Sequence, residues 1–241
     1  MASIGQTDYD IEIIISVNDN QNYSFVKKID PRVKIVYTDQ VKTGAGAARN
    51  KAISTTKAPY LAYLDADDTW SKNYLNELLP IAKENGCSFA PSMIINNKGV
   101  EVIKMPNESN HCLTPDDFSY WGASFHPVHS SSLKRGTSRG PFWENPAQDV
   151  MHAIEVILAC GGSANLGNNV YYGLHLRPDS YTTTKSFYNE LHSSYLMYDD
   201  ILQETKAADV FLQKLNLSEN FSKEAKPQET FYEYISRIRK I

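Results

Sequence analysis

Apolar and polar positions fall in blocks along this chain, and the blocks predict its elements. Residues 11–17, Ile-Glu-Ile-Ile-Ile-Ser-Val, are rich in β-branched side chains and predict a buried strand ending at Asn18-Asp19-Asn20. A short helix is expected over 23–29, stopped by Pro31, and a second strand over 33–37. Gly44 and Gly46 then precede a small-residue helix with Arg49 in its first turns. Residues 60–64 are an apolar run long enough for one buried strand, with Asp65, Asp67 and Asp68 at its C-terminal tip. Over 71–85, Tyr74, Leu75, Leu78, Leu79, Ile81 and Ala82 form one apolar helical face. The next strand is expected over 88–95, a hairpin turn at Gly99 and a partner strand over 101–104. A helix over 150–160 stops at Gly161-Gly162. From Phe187, residues Leu191, Tyr195, Tyr198, Ile201, Leu202 and Phe211 keep helical spacing over one long amphipathic helix. A last helix is expected near 229–239, ending basic. Strands interleaved with helices predict an α/β class.

Composition narrows the classes. The 241 residues suffice for one substantial domain, or a domain with an appendage. A net charge of −4 argues against general nucleic-acid binding. Cys87, Cys112 and Cys160 lie far apart in sequence, give no metal-ligand spacing, and are expected as reduced thiols in the core of a cytoplasmic protein. No apolar run approaches a membrane span. Arg237, Arg239 and Lys240 form too short a basic run to carry more than a peripheral role at a membrane's inner face. Phe118, Tyr120 and Trp121 are expected as satellite core in preference to a sugar platform.

The chemistry gathers at the acidic tip. Carboxylates this close repel one another unless a cation sits between them, and hard oxygens suit Mg²⁺ or Mn²⁺ bridging to substrate phosphates. The plainer reading of the same residues is a helix cap at Asp68 or Thr69. The glycines allow close backbone approach to a ligand, and the helix start favours an anion; the plainer reading is a tight turn. Asp149, taken alone, is an ordinary charge at a helix N-terminus.

Taken together, Gly44-Ala45-Gly46-Ala47-Ala48-Arg49-Asn50-Lys51-Ala52-Ile53 and Tyr63-Leu64-Asp65-Ala66-Asp67-Asp68-Thr69-Trp70 closely resemble family 2 glycosyltransferases. Ala52 departs from that family's usual glycine. The resemblance implies a GT-A (Rossmann-like) mixed sheet flanked by helices over 1–185, with a C-terminal helical extension over 186–241. That extension would pack on the catalytic domain or on a partner, a second copy of the chain included. Residues 125–133 resemble the family's acceptor-side strand, followed by the basic turn Lys134-Arg135-Gly136, and 169–172 the strand after the last catalytic helix. Pro141 to His152 resembles the helix start carrying the family's catalytic base, with Gln148 where Glu is usual and Asp149 retained. Gly173-Leu174-His175-Leu176-Arg177-Pro178-Asp179-Ser180 resembles the family's diphosphate loop, with His and Arg exchanged.

The resemblance implies inverting transfer from a nucleoside diphosphate sugar, a UDP-sugar above all, to a hydroxyl of a glycan or other acceptor. Asp65 and Asp67 would hold Mn²⁺ or Mg²⁺. Asp19 would contact the nucleoside, Gly44 would lie at the donor, and His175 and Arg177 would reach the diphosphate or metal. Arg49, though on the donor side, is expected to bind Asp67 or Asp68 within the fold. Asp149 would be the base. The family's first strand–helix unit looks missing if Asp19 ends its second strand; alternatively, residues 13–23 are the first unit and the second is reduced. Two other readings stay open: a haloacid dehalogenase-like phosphatase with Asp65 as nucleophile and Asp199-Asp200 as its acidic pair, and a non-catalytic sugar-nucleotide-binding protein.

Overall fold

The computed structural model describes residues 7–107, 111–133, 141–177 and 185–240. The expected basic turn at Lys134-Arg135-Gly136, and Asp179 and Ser180 of the expected diphosphate loop, lie outside them.

The β-branched runs form β1 (Ile13–Val17) and β2 (Val33–Tyr37), paired in parallel. The helix expected between them is a short 3-10 turn, Ser24–Lys28. Helix α1 (Gly44–Ile53) follows and packs on both strands. Ile13, Val26 and Val33 give this unit a small core of its own.

Strand β3 (Tyr60–Ala62) leads to the acidic turn and then to β4 (Thr69–Trp70). No cap forms at Asp68 or Thr69, because helix α2 (Tyr74–Asn85) starts later, after Asn73 in a left-handed conformation. Tyr74, Leu78 and Ala82 are the buried stripe of α2. The single strand expected over 88–95 is two, β5 (Cys87–Phe89) and β6 (Ser92–Ile95). Pro91 lies between them; it has no N–H to donate to a ladder and ends one pairing before the next begins. Strand β7 (Glu101–Met105) returns as the hairpin partner of β6 through Gly99 at φ 77°.

Beyond it lie β8 (Cys112–Leu113), α3 (Pro115–Trp121), β9 (Val128–Ser130), α4 (Gln148–Ala159), β10 (Ala164–Leu166) and β11 (Tyr172–His175). The last strand therefore runs later than 169–172 and takes His175 out of the expected loop. Its hydrogen bonding to β6 and β4 decides this, not its composition.

The strands form three ladders: β1-β2, β3-β9-β5-β10-β8, and β4-β11-β6-β7. Strand β3 is an edge strand and only half-buried, not the fully buried strand its apolar run suggested. Of the cysteines only Cys87 is buried; Cys112 is exposed on edge strand β8. Cys160 ends α4 within hydrogen-bond reach of Cys87, so these two thiols, distant in sequence, are neighbours.

The long C-terminal helix is broken into α5 (Lys185–Leu202) and α6 (Val210–Glu224), with α7 (Phe231–Arg239) closing the chain. Thr230 and Glu233 form a capping box that starts α7. The main core joins α4 residues such as Met151 and Ile154 to Phe118, Tyr195, Tyr198, Phe211, Tyr234 and Ile235. Phe118 and Trp121 belong to this main core, whereas Tyr120 is exposed. No helix of the described residues is long and apolar enough to cross a membrane.

Candidate active site

The acidic turn joins two ladders. Asp65 follows β3, its carbonyl accepting the Asp68 N–H at 3.1 Å, and β4 begins at once. Strand β11 runs antiparallel to β4 and brings three groups to the turn. The buried Tyr172 hydroxyl accepts the Asp65 N–H at 3.0 Å. The His175 N–H donates to Asp68 at 3.0 Å, while its Nε2 lies 3.0 Å from Thr69 Oγ1. The Arg177 guanidinium forms an ion pair with Asp67. Gly173 is required here, since a Cβ would stand 2.5 Å from Thr69 Oγ1.

From the other side, α1 supplies Arg49. It pairs with Asp65, donates to Gln148 Oε1 at 2.9 Å, and lies 5.3 Å from the Phe142 ring centre. The partner expected for it was Asp67 or Asp68. Arg177 holds Asp67 and the His175 N–H holds Asp68, leaving Asp65 facing α1. The next residue, Asn50, clamps the approach to α4: its Nδ2 donates to the Phe142 carbonyl at 2.8 Å and its Oδ1 accepts the Phe142 N–H at 2.9 Å. Gly46 allows that contact, because a Cβ would sit 1.9 Å from the Trp143 carbonyl oxygen. Thus Gly46, expected to admit a ligand, admits backbone.

Charge follows this geometry. Burial pushes the Asp65 carboxyl up, but Arg49 and His126 outweigh it and hold it below its usual value. Burial disfavours the Arg49 cation, yet Asp65 and Asp149 more than offset it. Burial lifts Asp68 to about 7, and the charges of Asp65 and Asp67 add to the lift against hydrogen bonds from His175 and Tyr172. His126 is buried, stacks on Tyr172 at 4.2 Å between centroids, and is pushed below the usual imidazole range by burial, against the pull of Asp65 and Asp149. Asp149 occupies the first turn of α4, half-buried, beside Gln148. Its charge reaches Arg49, His126, and Tyr195, Tyr198 and Tyr232 of the C-terminal helices.

Asp65, Asp67, Arg49, His175 and Arg177 therefore meet at one turn, with Gln148 and Asp149 joined to it through Arg49. Asp19 stands apart, bonded within its own loop to the Gln21 N–H and the Tyr23 hydroxyl. Gly44 has a φ of 87°, and its carbonyl accepts from Asn18 Nδ2 at 3.1 Å. Asp199 of the alternative acidic pair accepts from Gln203, in the turn just after its own helix. Asn50, His126 and Tyr172 were missed from sequence; no local pattern marks them.

Among the described residues no group of three or more His, Cys, Asp or Glu side chains is placed to hold a metal ion. The acidic turn instead matches each of two carboxylates with an arginine. The Arg49–Asp65 pair has a nearly buried arginine, 12% exposed, whereas Arg177 in the other pair is 60% exposed. This donor set fits a hard cation completed by substrate oxygens and water, and not a closed protein cage.

A family model described as glycosyl transferase family 2 matches residues 2–138, which leaves Asp149, His175 and Arg177 beyond the matched stretch. The chain is 41% identical over 64 residues to a putative teichuronic acid biosynthesis glycosyltransferase, TuaG, of Bacillus subtilis, covering 27% of this chain and 25% of that relative. It is 34% identical over 200 residues to the poly(ribitol-phosphate) beta-N-acetylglucosaminyltransferase TarP of Staphylococcus aureus, covering 78% of this chain and 57% of that relative. The chain thus spans between a quarter and little more than half of these relatives' lengths. A crystal structure of S. aureus TarS 1-349 in complex with UDP-GlcNAc superposes with a TM-score of 0.65 at 15% identity, covering 97% of this chain and 74% of that one. At that identity the likeness establishes the fold, GT-A.

Proposed function

This chain belongs to glycosyl transferase family 2, and from that premise we propose that it transfers a sugar from a UDP-sugar to an acceptor hydroxyl with inversion. One observation carries the reading. Arg49 bonds both Asp65 and Gln148, so the acidic turn and the helix start bearing Asp149 lie side by side. The TarS structure, which holds UDP-GlcNAc, supports the choice of donor.

In this reading Asp65 and Asp67 are the protein's ligands to a divalent ion. When bound, that ion supplies charge stabilisation to the departing diphosphate. Arg177 is the mobile cation of the site: its exposed guanidinium exchanges Asp67 for a diphosphate oxygen. His175 fixes Asp68 and Thr69, keeping the turn in shape while Asp67 changes partner. Arg49 stays with Asp65 as support. Asp149 removes the acceptor proton as the hydroxyl oxygen bonds the anomeric carbon and the carbon–oxygen bond to the diphosphate breaks. Gln148, neutral and bound to Arg49, adds no second negative charge beside Asp149. Asp19, just past β1, and Gly44, at the start of α1, are assigned to the nucleoside side.

A thermal-shift panel of nucleoside diphosphates with and without Mn²⁺ tests the donor site, because a ligand that binds only the native state raises its melting temperature. UDP with Mn²⁺ should raise it most. A flat response to every nucleotide would remove the reading, while nucleotide binding without transfer to any screened acceptor would favour the non-catalytic sugar-nucleotide-binding alternative. The glycosyl transferase family match and the arginine held on Asp65 both weigh against the phosphatase alternative.

A further inference from the structure

We propose that the open groove between α3, α6 and α7 binds an uncharged oligosaccharide. It encloses about 460 Å³, within the range of small-ligand sites. Asp116 and Tyr120 line it from α3, Gln213, Asn216 and Asn220 from α6, and Arg239 from α7. The three α6 amides are spaced three and four apart and so share one helical face.

The groove is built and largely unspent. Gln213 Oε1 accepts from Ser119 Oγ at 2.8 Å, which leaves its NH₂ available. Asn216 and Asn220 are exposed, and neither commits its amide to another described residue. The Arg239 guanidinium lies 4.0 Å from the Tyr120 ring centre, and its Nε donates to the Tyr120 carbonyl at 3.1 Å. A flat donor group is therefore held in place beside an exposed phenol. The wall itself is anchored from behind: buried Lys214 of α6 donates to the carbonyls of Phe118 at 3.1 Å and Gly122 at 3.3 Å.

The chemistry selects the ligand class. A carboxamide donates and accepts from one group, as a sugar hydroxyl does, and three of them in a row suit a chain of hydroxyls. Asp116 and Arg239 offset each other in charge, so the groove offers neither an anion nor a cation a net attraction. A single buried leucine at its base, Leu217, is too little for an apolar peptide face. The role of a held glycan rests on the sugar-transfer reading: the groove would retain acceptor chain beyond the unit being extended.

The test uses the full chain with ¹⁵N-labelled asparagine side chains, titrated with cellohexaose, maltohexaose and chitohexaose up to millimolar concentration. At least one should move the Asn216 and Asn220 NH₂ signals saturably. Asn216→Ala/Asn220→Ala should keep its melting temperature, since both sites are exposed and alanine favours helix, while saturation transfer to the sugar reports binding at least tenfold weaker. Absence of a saturable shift with all three sugars overturns the proposal. So does unchanged binding in the double variant, or the same shifts with inorganic phosphate. Stabilisation by UDP with silent asparagine signals sinks the groove alone. Sugar-dependent shifts without any nucleotide response would leave the groove standing and remove the transfer reading.

Discussion

Asp149 sits one residue after Gln148, whose amide is committed to Arg49. A base acts in the transition state, so its loss should lower turnover more than donor affinity. Asp149→Asn keeps size and polarity but cannot take the proton. It should leave UDP and Mn²⁺ binding nearly unchanged and slow transfer by roughly a hundredfold or more; wild-type rates would remove the residue from the mechanism. Arg177 makes a separate prediction. If Arg177 competes with the cation for Asp67, Arg177→Gln should tighten Mn²⁺ binding in the absence of nucleotide, read by Mn²⁺ relaxation or calorimetry. Weaker or unchanged Mn²⁺ binding would end the exchange idea. The acidic turn, the two glycines and Arg49 were legible in sequence because they sit in one short pattern. Asn50, His126 and Tyr172 were not. Their partners are Phe142, Tyr172 and Asp65, and for Asn50 and Tyr172 those lie 92 and 107 residues away.

At the scale of elements, β9 and α4 meet through histidines. His129 Nε2 lies 2.9 Å from the Tyr63 hydroxyl and 3.4 Å from His152 Nε2, and both histidines are buried. Burial pushes His129 down to about 4 from 6.5, against a bond to the Ser130 carbonyl, and pushes His152 well down too, helped by His129 and Arg49. Between pH 6.5 and 4 the unfolded chain therefore binds more protons than the folded one. Stability should fall as the pH drops through that window, by up to about 1.4 kcal/mol per pH unit for each histidine. His129→Gln should flatten the fall in urea-unfolding free energy; a slope identical to the wild type would show that His129 does not titrate with folding. Apolar spacing found α2, glycines and small residues found α1, the glycine stop found the end of α4, and strand composition found β2 at its observed bounds. It failed at β5 and β6, where Pro91 cuts an apolar run, and at β10, where only three residues pair. Apolar spacing failed between α5 and α6, where it continued across a turn.

Across the whole molecule, the sequence marked 186–241 as an extension of a domain over 1–185, and packing now gives that boundary a physical test. Tyr195, Tyr198, Phe211, Tyr234 and Ile235 share one buried cluster with Phe118, Val150, Met151 and Ile154. The Tyr198 hydroxyl donates to the Asn145 carbonyl at 3.3 Å, and its ring meets Trp143 at 5.9 Å, on the loop that leads into Asp149. Each large apolar side chain buried is worth about 1.5–3 kcal/mol. Five of them together rival the roughly 5–15 kcal/mol that separates a whole domain from its unfolded chain. The piece 1–185 should therefore lose its cooperative melt and bind a hydrophobic dye, because Phe118, Met151 and Ile154 would face water. The hydrophobic pattern alone left this open, since an amphipathic helix reads the same whether it covers its own chain or a partner. A sharp melt from 1–185, with UDP stabilisation like that of the full chain, would instead make the C-terminal helices a separate folding unit.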